Sequence, residues 1–121
     1  MNYLNNDFFT LILIGNYPSY AKRIYEATGT RIHAFSHSFS LSERIWTICH
    51  RLTSESEHIL IRSLNDFAAG TDDYHTPVII YCNESERDFI SRHSADIESA
   101  FITVPYDALI KQENDKELFV K

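Results

Sequence analysis

Glycine is scarce in this chain, and its three copies stand far apart, at Gly15, Gly29 and Gly70. A phosphate-cradling P-loop or a full G-x-G-x-x-G turn needs several glycines close together, because backbone must approach the phosphates without side chains in the way. No such cluster exists in these 121 residues, so a complete nucleotide-using enzyme is not expected. Cysteine is equally sparse. Cys49 and Cys82 stand alone, without C-x-x-C spacing, and read as reduced, buried thiols of a cytoplasmic protein. Long apolar runs are missing too. The longest, Phe8–Ile14, is far too short to cross a bilayer. Met1–Asp7 is polar and lacks the basic start of a secretory signal. No membrane partner is expected.

An excess of basic charge is also absent. Residues 1–60 carry five basic and five acidic side chains, whereas residues 61–121 carry six basic and twelve acidic ones. The acidic second half argues against a general nucleic-acid surface. What is present in quantity is apolar side chain: 44% of the residues, enough to bury a core and too much for a disordered chain.

Along the chain, Phe8–Ile14 is a nearly unbroken apolar run ending at Gly15. Continuous rather than alternating apolarity predicts a strand buried on both faces, as in a parallel sheet. Pro18 suits the first turn of a helix, where its missing N–H costs nothing. Ala21, Ile24, Tyr25 and Thr28 recur at helical spacing, and Gly29 follows as a C-terminal cap. Arg31–Ser36 reads as a second strand, which makes residues 8–36 a right-handed β-α-β unit. In residues 37–55, Ser40 and Glu43 have capping-box spacing, and Leu41, Ile45, Ile48, Cys49 and Leu52 share a helical face. A short helix or irregular crossover is favoured there, with a strand over 44–49 as the alternative.

Ser54 and Glu57 make a second capping box ahead of a helix with Leu60, Leu64, Phe67 and Ala68 on one face and Gly70 at its end. Pro77–Cys82 is another buried strand, with Pro at its first residue. Asn83 and Glu86 cap the next helix, whose inner stripe is Phe89, Ile90, His93 and Ile97. Phe101–Val104 is a short strand, and Pro105 opens a last helical segment. The alternation predicts an α/β, Rossmann-like three-layer domain with a mostly parallel sheet of four or five strands. The first strand is placed near the middle, in the order 2-1-3-4.

Candidate chemistry collects at the carboxyl ends of these strands. The turn Gly15-Asn16-Tyr17-Pro18 opens a helix where an open α/β sheet binds its ligand. Tyr17, Pro18 and Tyr20 crowd the places where a dinucleotide fingerprint has small residues, and a plain strand-to-helix turn accounts for the same pattern. Asn83-Glu84-Ser85-Glu86 lies at the same edge. Its two carboxylates suit an ammonium or a metal, or simply the dipole of the helix they open. The six histidines show no H-x-x-x-H or H-E-x-x-H spacing, and no metal site is expected. No G-x-S-x-G elbow is present, and Cys82 reads as a packed small hydrophobe rather than a nucleophile.

The second half carries a more specific pattern. Pro77-Val-Ile-Ile-Tyr-Cys82, Asn83-Glu-Ser-Glu86, the stretch from Phe89 to Glu98, Phe101-Ile-Thr-Val-Pro105 and Asp115-Lys116 together resemble the N-terminal domain of ATP-grasp ligases. Within these, the carboxylate–amine ligases akin to D-aspartate ligase and short carbamoyl-phosphate-synthase-like proteins are the nearest in pattern. The resemblance extends over residues 8–119. It implies a parent that joins a carboxylate to an amine with ATP and magnesium, through an acyl-phosphate.

By that resemblance, residues 1–114 are a pre-ATP-grasp Rossmann-like domain, and 115–121 begin the linker into an ATP-grasp domain. Gly15 and Asn16 match the turn facing the substrate cleft, and Asn83 and Glu84 complete the cleft candidates. Lys116, beside Asp115, matches the lysine that contacts ATP phosphates in the full-length parent. In this chain alone it reads as a solvated charge near a terminus. No catalytic residue and no cofactor is expected in the chain itself. The expected partners are its own ATP-grasp domain, the small carboxylate and amine substrates, and a second copy in a homodimer. The family's glycine-rich turn is reduced here to the single Gly15. The alternative is a free-standing flavodoxin-like or receiver-like binding module. Against the receiver form, Gly15–Tyr17 has no acid and Asn83 stands at the later strand's end.

Overall fold

Phe9–Ile14 forms strand β1 at the centre of a five-stranded sheet. Leu11 and Leu13 point into one apolar cluster and Ile12 and Ile14 into another on the opposite face. Both faces are covered, and this is why the run from Leu11 to Ile14 is apolar at every position rather than at every second one. The computed structural model describes residues 7–41, 43–71, 74–97 and 101–109. The other strands are β2 (Ile32–Ser36), β3 (Thr47–Arg51), β4 (Thr76–Tyr81) and β5 (Ile102–Pro105). All pairings are parallel, in the order β3-β2-β1-β4-β5. The four strands read from the sequence keep the expected order, with β3 added at the outer edge.

Among the described residues the helices that cover the sheet are α1 (Pro18–Thr28), α2 (Glu43–Trp46), α3 (Glu57–Ala69), α4 (Glu84–Arg92) and α5 (Ser94–Ile97). Ala21 and Ile24 of α1 pack on Leu11, Leu13, Ala34 and Val78, with Trp46 of α2 beside them. Leu64 of α3, Phe89 and Ile90 of α4 and Ile97 of α5 pack on Ile12, Ile14 and Ile79 across the sheet. The result is the three-layer, Rossmann-like α/β domain that the alternation predicted. Ile12, Leu13, Ile79 and Ile80 are wholly inaccessible, and each contributes about 1.5–3 kcal/mol through burial. No described helix is long and apolar enough to cross a membrane.

The local signals hold where backbone chemistry is strongest. Pro18 stands at the start of α1, and Gly29 ends it in the left-handed conformation, φ +73°, its N–H donating to Tyr25 O at 2.7 Å. β4 runs one residue ahead of the expected Pro77–Cys82, so Pro77 is its second residue rather than its first, and β5 begins its pairing only at Val78.

Three expectations need correction. The favoured helix or crossover within 37–55 is instead one turn of helix, α2, followed directly by strand β3. Ile48 and Cys49 thus sit on opposite faces of a strand, while Leu41 and Ile45 are exposed. Ser54 does not cap α3: the cap position is Ser56, and Ser54 Oγ accepts from the Ser56 N–H at 3.3 Å. Glu57 turns away from that helix end to Arg92, at 2.9 Å, and His93, at 3.1 Å. Finally, the helix expected after Asn83 is broken at His93 into α4 and α5.

A candidate site at the switch point between β1 and β4

The chain leaves β1 toward the face covered by α1 and leaves β4 toward the face covered by α4. The two turns therefore part at the carboxyl edge of the sheet, where ligands of open α/β sheets bind. Gly15 opens the first turn with φ +128°, a conformation that a side chain disfavours. Its N–H is already used, donating to Phe35 O at 2.8 Å. A Cβ at this position would lie 2.8 Å from Tyr17 Cε2. The Tyr17 ring thus lies over the glycine.

Tyr17 reaches across the gap. Its hydroxyl donates to Glu86 Oε2 and accepts from Asn83 Nδ2 at 2.9 Å. Asn83 caps α4 by accepting from the Glu86 N–H at 2.9 Å. Glu86 completes the box one residue early: its Oε1 accepts from the Cys82 N–H at 2.9 Å rather than from Asn83. Asn83 Nδ2 also approaches Glu86 Oε2 at 3.3 Å. The Glu86 carboxyl is thus held by three donors and by no cation among the described residues.

Burial shapes the titration here. It raises the Glu86 carboxyl above its ordinary range, against the pull of the bonds from Tyr17, Cys82 and Asn83. Burial, and then the bond to Glu86 and its charge, raises the Tyr17 phenol, so that it stays a donor. The Cys82 thiol is pushed up to about 12 by burial, with Glu86 and Asp107 adding to the effect. It is a protonated thiol, not a nucleophile.

Of the residues singled out from the sequence, Gly15 and Asn83 meet at this site. Asn16 does not join them: its Nδ2 donates to Ser38 O at 2.9 Å, tying the turn after β1 to the turn after β2. Glu84 is exposed on the first turn of α4. It lines a shallow pocket of about 190 Å3 between the β4 and β5 turns, with Arg87, Tyr106 and Asp107. Asp115 and Lys116 lie outside the described residues. Tyr17 was legible only as bulk that crowds a fingerprint turn. Its role rests on partners 66 and 69 residues away, which no local spacing reveals. Tyr20 stacks between Tyr17, at 5.5 Å, and Tyr106, at 4.0 Å. These rings join the β1 turn to the helical turn over 106–109.

A second polar pair lies nearer the β3 edge. His33 Nδ1 and His50 Nε2 are 2.8 Å apart. The His50 ring stacks on Phe35, and the edge of Phe67 from α3 closes over both histidines. Burial, and then the neighbouring His50, lowers His33 to about 4; burial also lowers His50. Two neutral rings share one proton between them.

The described residues do not fit ATP or magnesium. The Gly15 amide is spent, Pro18 has no N–H, and Tyr17 fills the approach. No three of His, Cys, Asp and Glu gather among the described residues. No family model, curated protein or solved structure matches the chain. The geometry of the β1–β4 crevice is therefore the basis for a functional reading.

Proposed function

We propose that this chain is the substrate-cleft domain of a cytoplasmic, ATP-dependent carboxylate–amine ligase, as the pattern over residues 77–116 implies. The observation that carries the proposal is the fixed, half-buried Glu86 carboxyl at the switch point. Three donors orient it, and no described cation neutralises it. Such a group is suited to meet the ammonium of an amine substrate, with the exposed Glu84 adding to the field. The chain's own part is to bind and orient a small polar substrate along the β1 and β4 turns. ATP and magnesium, which would supply the activation of the carboxylate, are assigned to an ATP-grasp domain, as the resemblance implies.

The test is made on the product of the whole gene. Incubated with ATP, magnesium and a panel of amino acids, it is expected to release ADP only when an amine acceptor is present. Hydroxylamine is expected to trap the activated carboxylate. A gene with no ATP-grasp reading frame at or beside this domain, or ADP release indifferent to carboxylate and amine, would sink the proposal. The 121-residue chain alone is expected to give no saturable heat with Mg-ATP in titration calorimetry.

A further inference from the structure

The outer flank of β3 carries three arginines. Arg31 precedes β2, Arg44 lies in α2 and Arg51 ends β3, and all three line one groove of about 390 Å3 with Phe39, Thr47 and Cys49. No carboxylate lines that groove, and none of the three guanidinium groups has an ion pair or hydrogen bond among the described residues. These are three of only five basic residues in the first sixty, in a chain of net charge −6. The cations are thus concentrated where no described residue pairs with them.

Position adds to charge. Among the described residues β3 is an edge strand, paired with β2 alone, and an edge presents backbone N–H and C=O groups to any strand that comes alongside. From Thr47 to Arg51 the strand advances about 13 Å. Arg31 lies by its start, because Ile32 is in register with Thr47, and Arg51 lies at its end. Cations spread along a strand suit carboxylates on alternate residues of an extended chain rather than one compact anion. The floor between them is apolar to weakly polar, from Phe39, Thr47 and Cys49. Pairing two copies of β3 would set arginines against arginines, so a second copy of this chain is disfavoured.

We propose that this flank docks an acidic, extended polypeptide segment of a partner protein, which joins β3 as a sixth strand and sets its carboxylates on Arg31, Arg44 and Arg51. Recognition then has two parts. Backbone bonds to the open edge supply affinity, and the arginine forks select acidic side chains at alternate positions. Nucleic acid offers the charge but not the strand, and the −6 charge of the whole chain opposes it.

A displayed library of extended peptides of about ten residues, selected on the full chain, tests this. Enrichment of Asp and Glu at alternate positions is expected. The best peptide, made synthetically, should bind about tenfold more weakly to the R31Q/R44Q/R51Q variant, and more weakly in high salt. Methylating alternate backbone nitrogens of that peptide should abolish binding. R51Q alone, at the exposed end of β3, provides the same comparison if the triple variant does not fold. Failure to enrich any sequence, enrichment of neutral or basic sequences, or equal binding by the variants would overturn the proposal. So would full retention of binding by the methylated peptide, tighter binding of a single-stranded oligothymidylate, or complete displacement of the peptide by inorganic pyrophosphate.

Discussion

Tyr17 and Glu86, 69 residues apart in the chain, share a hydrogen bond that bridges the turns after β1 and β4. It is the one described side-chain bond that joins the two halves of the switch point directly to the half-buried carboxyl, and Asn83 braces it from the α4 side. Removing either partner leaves a half-buried polar group short of its mate, which costs more than the bond itself contributes.

Tyr17→Phe is therefore expected to lower stability by about 1–2 kcal/mol. In a double-mutant cycle with Glu86→Gln the two changes should be coupled by about 1 kcal/mol. Urea denaturation of the four proteins measures both quantities. Additive losses would show that the bridge contributes nothing.

Gly15 and Gly29 separate two costs of a side chain. At Gly29, φ is +73° and nothing lies within 4 Å of a new Cβ, so Gly29→Ala should cost about 1 kcal/mol, all of it backbone strain. At Gly15, φ is +128° and the new Cβ would meet the Tyr17 ring at 2.8 Å. Gly15→Ala should cost about 2–3 kcal/mol, and the Tyr17→Phe background should not relieve it, since the ring remains. Equal thermal shifts for the two alanine variants would refute the close approach.

Acid should weaken the fold through the histidine pair. His33 falls from an ordinary 6.5 to about 4 because it is buried, with His50 adding to the shift. Between those values the unfolded chain binds the proton and the folded chain does not, so stability is full above 6.5 and is lost as pH falls toward 4. His33→Gln should reduce the slope of stability against pH in that window by at most about 1.4 kcal/mol per pH unit. Denaturation midpoints across the window measure it, and an unchanged slope would contradict the assignment.

Cys82 should be slow to alkylate. With its thiol pushed up to about 12, its thiolate is roughly a hundredfold or more rarer at mildly alkaline pH than that of a free cysteine, and its reaction with iodoacetamide should slow in proportion. Glu86→Gln removes one of the charges that hold the thiol up and should speed the reaction. Mass spectrometry of the Cys82 peptide over time reads both rates, and a rate like that of free cysteine would show that the thiol is not shielded.

The central strands were legible because a strand buried on two faces must be apolar at every position, as Leu11–Ile14 and Val78–Ile80 are. The bounds of α1 were legible because Pro18 and Gly29 act on their own backbone, whatever surrounds them. Asn83 with Glu86 was likewise visible as a cap. Residues 43–51 were not, because a short run such as Ile45, Ile48 and Cys49 satisfies helical and extended patterns alike. Only the open edge of β2, with its unpaired backbone, selects the strand.

Composition and local spacing by themselves settled the alternation of elements and the parallel central sheet. Those features depend on which residues are apolar and on single-residue backbone preferences. Tertiary structure alone decided that Tyr17 lies over Gly15 and meets Glu86, that Asn16 turns to Ser38 instead, and that His33 finds His50. It also decided that Arg31, Arg44 and Arg51 share one flank. Each of these depends on the register between strands distant in sequence, which is set by packing two faces at once.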